Sequence, residues 1–125
     1  MVISIGTDIV EIERIKRVLL RFGERFVQRI LTQKEISEWQ RRGCGEAFLA
    51  RRFAAKEAIL KALMTGISGG LSFRDISVEN DLRGAPFVVL SKKAGQLLAS
   101  FGATRVLLSI SDERSYAISY AMVVS

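Results

Sequence analysis

Residues 46–63 read EAFLARRFAAKEAILKAL, and this stretch predicts the longest helix of the chain. Alanines recur along it at positions 50, 54, 55, 58 and 62, so the helix is slim and other backbones can pack closely against it. Glu57 and Lys61 lie four residues apart and therefore share one face. The pair has two interpretations: an ordinary helix salt bridge, or part of a site in which a carboxylate anchors a metal ion and cations hold phosphate oxygens.

The segment before this helix begins with an apolar run. Residues 2–6 predict a short buried strand that ends at Gly6, and Asp8 follows it. An acid just past a strand end commonly lines a site. A basic helix comes next, in which Arg14, Arg17 and Arg21 share one face. That face is either a solvated surface or a binding surface for acidic groups.

The remaining elements follow from local signals. Gly23 interrupts the first helix, and Thr32 with Glu35 fits a capping box that begins a third helix. The second half of the chain predicts strands at 73–78, 86–90, 105–111 and 116–124, with a helix at 91–100. We therefore expect an α+β fold in one domain, 1–125, with a helical N-terminal half packed on a mostly antiparallel sheet.

Composition excludes several kinds of chemistry. The chain has no histidine and one cysteine, Cys44, so His-based triads and His- or Cys-ligated zinc sites are excluded, and oxygen ligands favour magnesium or manganese. The net charge of +6 indicates an anionic partner. A nucleic-acid-binding module is the main alternative, but aromatic residues make up only 8% and no recognition motif occurs. Neither a P-loop nor a Rossmann pattern is present. No signal peptide or membrane span is predicted, so we expect a cytoplasmic location.

Several runs of residues resemble one known family. Residues 5–12, IGTDIVEI, are similar to the opening motif of the holo-acyl-carrier-protein synthases, which are phosphopantetheinyl transferases. Residues 48–58, FLARRFAAKEA, resemble their second motif, and the matches continue through 84–86 and 108–113. The resemblance extends from residue 1 nearly to the C-terminus.

The resemblance implies a reaction and a set of site residues. It implies transfer of the 4′-phosphopantetheine arm of coenzyme A to a serine of apo-acyl carrier protein, with release of adenosine 3′,5′-bisphosphate. Asp8 and Glu57 would bind Mg²⁺, Lys61 and Arg52 would contact phosphates, and Gly66 would lie near the nucleotide. The base that takes the serine proton could be Glu57, Asp8 or a metal-bound water. A catalytically inert scaffold of the same fold is the other alternative.

The resemblance also implies which proteins this chain binds. It implies that the helix carrying Arg14 and Arg21 docks the acidic carrier protein, and that the chain forms a homotrimer with each active site at a subunit interface. One departure is visible: many family members have a histidine at the position of Leu107. A mechanism that needs this histidine cannot operate here.

Overall fold

The computed structural model describes residues 1–65 and 70–125. In chain order, the strands and helices of these residues are β1 Val2–Glu11, α1 Ile12–Phe22, α2 Glu24–Ile30, α3 Gln33–Arg41, α4 Glu46–Ala62, a short 3-10 helix Phe73–Asp75, β2 Ile76–Asn80, β3 Pro86–Leu90, α5 Lys92–Ser100, β4 Arg105–Asp112 and β5 Tyr116–Val124. The predicted α+β class is confirmed, and every described strand pairing is antiparallel.

The larger sheet has the order β1-β5-β4, so the first strand of the chain pairs with the last. Its register places Gly6 opposite Ala121, and Asp8 opposite Ser119. The sheet face that carries these residues is made of small side chains, and Ala121 and Ser119 are almost fully buried. A surface this flat allows a helix to lie directly on the strands.

Helix α4 occupies that face and packs against both β1 and β5. The approach is closest at Gly6, where a Cβ atom would lie 2.1 Å from the carbonyl oxygen of Ala58 and 2.7 Å from the nitrogen of Ala62. The hydroxyl of Ser4 donates to the carbonyl oxygen of Ala62 nearby. The alanines predicted to keep the helix slim therefore have a structural role, because they let its backbone contact the strand.

Strand β1 corrects one sequence prediction. The strand does not end at Gly6 but continues to Glu11, because its pairing with β5 persists to Glu11 opposite Tyr116. Asp8 consequently lies within the strand, on the α4 side of the sheet, and not just past its end. The following helix begins at Ile12, as the apolar spacing allows.

The N-terminal helices otherwise follow their predicted signals. Gly23 separates α1 from α2 with a φ of 58°, a conformation that glycine adopts without strain. Thr32 begins α3 through the predicted capping box, in which its hydroxyl accepts from the Glu35 nitrogen and the Glu35 carboxylate accepts from the Thr32 nitrogen. Ser91 caps α5 in the same way through the Ala94 nitrogen.

The hairpin β2-β3 forms the second sheet, and its return strand begins at Pro86 as predicted. The prediction that the outgoing strand starts at Phe73 is wrong. Residues Phe73–Asp75 form a 3-10 turn instead, because the Asp75 carboxylate accepts hydrogen bonds from the backbone nitrogen and hydroxyl of Ser72. Within residues 1–65 and 70–125, no helix has the length and apolar character needed to cross a membrane.

Candidate active site

Asp8 and Lys61 meet where α4 crosses β1. The ammonium of Lys61 donates to the carbonyl oxygen of Thr7 at 2.9 Å and to Oδ1 of Asp8 at 3.3 Å. Glu57 lies one helical turn before Lys61 on α4. The crossing thus brings Asp8 to two predicted site residues, Glu57 and Lys61, that follow it by 49 and 53 positions in the sequence.

Among Asp8, Glu57 and Lys61, negative side chains outnumber positive ones. Burial raises the pKa of the Glu57 carboxyl above its ordinary value, the negative charge of Asp8 raises it further, and the Lys61 ammonium opposes the rise. Two carboxylates therefore face a single ammonium group, and the two negative charges oppose each other. A second cation at this position would relieve that repulsion.

The donor set of this position fits a magnesium ion. Asp8 and Glu57 supply carboxylate oxygens, the ligands that hard divalent cations prefer. In the part of the chain that the structure describes, no cluster of three or more histidine, cysteine, aspartate or glutamate side chains could hold a metal. Magnesium is commonly bound by one or two carboxylates, with water and substrate phosphate completing its shell. Two carboxylates beside a cationic helix match that pattern.

An apolar groove of about 470 Å³ opens beside Glu57. Its walls come from α1, α2, α4 and the 3-10 turn, and they are formed by Val18, Phe22, Arg25, Phe26, Arg29, Ile30, Phe53 and Phe73. Phe53 and Phe73 stack at a tilt, with ring centroids 5.7 Å apart. The groove thus combines aromatic walls, two arginines and one wall carboxylate.

The two predicted docking residues lie on α1, the helix that contributes Val18 and Phe22 to this groove. Arg21 stacks its guanidinium on the ring of Phe22 at 5.1 Å, and Phe22 lines the groove. Arg14 is exposed. Neither arginine forms an ion pair among the described residues, whereas Arg17, from the same stripe, pairs with Glu11 at 3.6 Å. Two of the three arginines on this face therefore keep their charge free for a partner.

Arg52 lies apart from Asp8 and Lys61. Its Nη2 donates to Oδ1 of Asn80 at 2.9 Å, and its Nε is buried without a hydrogen-bond partner in residues 1–65 and 70–125. Burial lowers the pKa of Arg52 to about 10; Glu35 opposes this effect, and Arg51 and Arg42 add to it.

A small cavity of about 150 Å³ lies beside this guanidinium, lined by Arg42, Arg51, Arg52, Asn80, Gly84, Pro86 and Ile110. Three of the lining residues are arginines, and none of the lining residues is an aspartate or a glutamate. Arg42 pairs with Glu38 at 2.6 Å and Arg51 with Asp112 at 3.2 Å, so Arg52 is the lining arginine whose guanidinium is best placed to bind an anion here. In a single chain it is separate from the groove that contains Glu57.

A buried ionic network, which the sequence patterns did not reveal, joins α4 to α2, α3 and the 3-10 turn. Lys56 is fully buried, and its ammonium donates to Glu35 Oε1 at 2.5 Å and to the carbonyl oxygens of Ile30 at 2.6 Å and Phe73 at 3.1 Å. The other Glu35 oxygen accepts from the Val78 nitrogen at 2.8 Å. Burial lowers the pKa of Lys56 to about 8, against the opposing charge of Glu35.

This network positions two walls of the groove. Lys56 precedes Glu57 on α4, and it bonds to the backbones of Ile30 and Phe73, whose side chains line the groove. The available signal was a lysine between the apolar residues Phe53 and Ile59, on the side of the helix that faces the core.

Gly66 lies in 66–69, outside the described residues. Leu107 is exposed on β4, on the sheet face opposite α4. Cys44 is an exposed free thiol in the turn between α3 and α4, with a φ of 61°.

The fold and the site together define a small α+β protein whose carboxylate pair and lysine are suited to a divalent cation and a phosphate-containing substrate. A family model described as the 4′-phosphopantetheinyl transferase superfamily matches residues 4–121. The chain belongs to this superfamily.

Individual relatives cover the whole chain. A holo-[acyl-carrier-protein] synthase of Halorhodospira halophila is 46% identical over 125 residues, covering 100% of this chain and 99% of the relative. The crystal structure of a Neisseria meningitidis holo-[acyl-carrier-protein] synthase matches with a TM-score of 0.94 and 41% identity, covering 100% of both chains. The Helicobacter pylori synthase in complex with coenzyme A matches with a TM-score of 0.84 and 36% identity, covering 95% of this chain and 98% of that one.

Proposed function

We propose that the chain, as one domain of residues 1–125, transfers 4′-phosphopantetheine from coenzyme A to a serine of apo-acyl carrier protein in fatty-acid biosynthesis. The serine hydroxyl gives its proton to a base, for which Glu57, Asp8 and a metal-bound water stay the candidates, and its oxygen forms a bond to the phosphorus that carries pantetheine. The bond from this phosphorus to the bridging oxygen breaks, and adenosine 3′,5′-bisphosphate leaves. The observation that carries the proposal is the meeting of Asp8, Glu57 and Lys61 at the α4 crossing, in a chain similar over its full length to holo-[acyl-carrier-protein] synthases.

Asp8 and Glu57 would hold Mg²⁺ at this crossing. The bound cation would neutralise charge on the pyrophosphate and on the departing phosphate. The raised pKa of Glu57 has burial as its larger cause and the nearby Asp8 charge as its second, and it is the Asp8 effect that supports this assignment, because it means that the two carboxylates interact and that a cation between them is favoured.

Lys61 would contact the pyrophosphate from the side of α4. Its side chain is half exposed and its ammonium already lies at the position of the carboxylates. An ammonium in this place stabilises negative charge that develops on a phosphate oxygen as the bond breaks. The buried Lys56 network keeps Glu57 and the groove walls in place while this happens.

The groove and the α1 arginines would dock the carrier protein. Acyl carrier proteins are acidic. Arg25 and Arg29 of α2 line the aromatic groove together with Glu57, Arg21 stacks on its wall residue Phe22, and Arg14 adds positive charge on α1. Charge complementarity would steer the partner, and the apolar walls would provide the contact area. Docking here would bring the acceptor serine to the carboxylate side of the site.

The proposed homotrimer accounts for two features of the single chain. The sheet face opposite α4 exposes apolar side chains in register, namely Ile5, Ile9, Leu107, Ile118 and Tyr120, and Ile9 is 62% exposed. A closed ring of three copies would cover this face. If each active site lies at a subunit interface, as the resemblance implies, the cavity around Arg52 of one subunit and the crossing of its neighbour would bind the same coenzyme A. Sedimentation equilibrium tests the trimer, and a monomer at micromolar concentration would contradict it.

The proposal also includes the cellular location of the reaction and the kinds of molecule that take part in it. The reaction would take place in the cytoplasm, where an exposed thiol such as Cys44 remains reduced. No nucleic acid and no membrane take part in it.

The decisive experiment is the intact mass of apo-carrier protein after incubation with the chain, coenzyme A and magnesium. The expected result is a gain of roughly 340 Da, the mass of the transferred arm. A carrier protein whose acceptor serine is replaced by alanine is the control and should gain nothing. An unchanged mass of the intact carrier at high enzyme concentration would support an inert scaffold and overturn the proposal.

A further inference from the structure

The Lys61 ammonium lies against the Asp8 carboxylate, at 3.3 Å from Oδ1. The Lys61 ammonium bonds to Asp8 and to the neighbouring backbone carbonyl of Thr7. The Asp8 side chain is 17% exposed, whereas that of Lys61 is 56% exposed. The carboxylate is therefore held in the crossing, while the lysine reaches it from a position open to solvent.

The same carboxylate is the one proposed above to hold the divalent ion. A divalent ion at Asp8 and Glu57 would bring two positive charges to a place where an ammonium already lies. Repulsion between the two cations disfavours simultaneous binding at Asp8 Oδ1. Because Lys61 is the second-last residue of α4 and its stem is half exposed, rotation of its side chain removes the ammonium without moving the helix.

We propose that Lys61 is a resident cation that neutralises Asp8 until a divalent metal displaces it, and that the displaced ammonium then binds the phosphates of the substrate. This inference rests on the proposed function, since it takes the metal site and the phosphate substrate from there. Lys61 thus competes with the metal in the free protein and cooperates with it once coenzyme A is present.

The exchange has a thermodynamic consequence. Metal alone must break the Lys61–Asp8 pair, whereas metal with coenzyme A offers the released ammonium a new anionic partner. Coenzyme A should therefore tighten metal binding, and by linkage the metal should tighten coenzyme A binding by the same factor. Part of this coupling free energy depends on the Lys61 ammonium. A variant with an apolar side chain at this position should lose that part.

The test measures Mn²⁺ affinity by electron paramagnetic resonance of the free ion, with no carrier protein present. We expect Lys61→Met to bind Mn²⁺ about two- to fivefold more tightly than the unaltered protein, the range of a partly exposed ion pair. Lys61→Arg keeps the charge and the pairing with Asp8, so its affinity should stay at the unaltered level. Arg29→Gln removes a positive charge from the groove that contains Glu57 without removing a bond to Asp8, and it should gain less than Lys61→Met.

A second measurement repeats the Mn²⁺ titrations with saturating coenzyme A. The factor by which coenzyme A tightens Mn²⁺ binding should be smaller in Lys61→Met than in the unaltered protein. Equal Mn²⁺ affinities of Lys61→Met and the unaltered protein, with binding lost in Asp8→Asn, would overturn the inference and leave the metal site intact. An equal gain in Arg29→Gln would assign the effect to general charge and also overturn it. If the unaltered protein binds no Mn²⁺ even with coenzyme A, the proposed metal site fails, and the inference fails with it.

Discussion

Gly6 and Ala58 are in backbone contact across the interface between β1 and α4, so closely that a Cβ atom on Gly6 would lie 2.1 Å from the Ala58 carbonyl oxygen. This contact sets the height of α4 above the sheet. It therefore also sets the distance from Asp8, two residues after Gly6, to the side chains of Glu57 and Lys61.

The first prediction concerns this contact. Gly6→Ala should lower the free energy of unfolding by about 1–3 kcal/mol, because the helix backbone must shift to admit the methyl group. The same shift should weaken Mn²⁺ binding at the carboxylates. Urea denaturation and Mn²⁺ titration check both effects.

Gly95→Ala is the matched control for that substitution. Gly95 lies within α5, and a Cβ atom added there meets nothing within 4 Å. This variant should gain about 0.5–1 kcal/mol from helix propensity. If Gly6→Ala were as stable as the unaltered protein, the close approach would have no role in setting the crossing.

The second prediction concerns the metal ligands. Asp8→Ala or Glu57→Ala should abolish magnesium-dependent transfer while circular dichroism shows an intact fold, because each variant leaves the cation a single carboxylate. Glu24→Ala, which removes an exposed acid from α2, should transfer normally. Normal turnover in both site variants would refute the metal assignment.

The third prediction concerns pH and stability at Glu57. The folded-state pKa of Glu57 is raised, so the folded protein binds this proton more readily than the unfolded chain does. The stability associated with the protonated form is present at low pH and is lost as pH rises through the raised pKa. In metal-free protein, Glu57→Gln should therefore raise Tm at pH 7 relative to the unaltered protein, and the difference should shrink as pH falls through the raised pKa and vanish below the ordinary pKa of glutamate.

Calorimetry with a chelator present gives both Tm values at each pH. Added magnesium should stabilise the unaltered protein and reduce the advantage of Glu57→Gln. A variant that is less stable than the unaltered protein at pH 7 would show that Glu57 is not held in a position of crowded negative charge.

The fourth prediction concerns carrier docking. Arg14→Glu should raise KM for the carrier protein about fivefold and more than KM for coenzyme A, because it reverses a charge on the docking face. The effect should grow at low salt, where screening is weaker. Arg105→Glu, an equal charge change at the exposed start of β4, is the control. An unchanged carrier KM for Arg14→Glu would remove this residue from the docking face.

The fifth prediction concerns the buried network. Lys56→Met should cost about 3–5 kcal/mol, because it leaves the Glu35 carboxylate buried without its cation. Adding Glu35→Gln should restore part of the loss, since the amide is neutral. Urea denaturation of the single and double variants measures the coupling. Additive losses would show that Lys56 and Glu35 do not stabilise each other.

Sequence patterns identified most elements because their signals are local. The Thr32 and Ser91 caps, the break at Gly23 and the hairpin return at Pro86 each depend on side chains within a few residues. The errors at the end of β1 and at Phe73 have non-local or side-chain causes. Strand β1 continues because β5, more than a hundred residues later, pairs with it, and the Asp75 carboxylate forms a turn where apolar alternation suggested a strand.

The candidate site shows the same division between features that depend on nearby residues and features that depend on distant ones. Residue types and spacing alone determined that a metal site without histidine and with one cysteine would need oxygen ligands, that Glu57 and Lys61 share a helix face, and that the motifs of this chain resemble one family. Only the tertiary structure decided that Asp8 meets Lys61, that Arg52 faces a separate cavity, and that Lys56 is a buried anchor and not a surface charge. The physical reason is that helical periodicity constrains neighbours a few residues apart, whereas the meeting of distant residues depends on how closely two backbones can pack, here at a glycine against an alanine-rich helix.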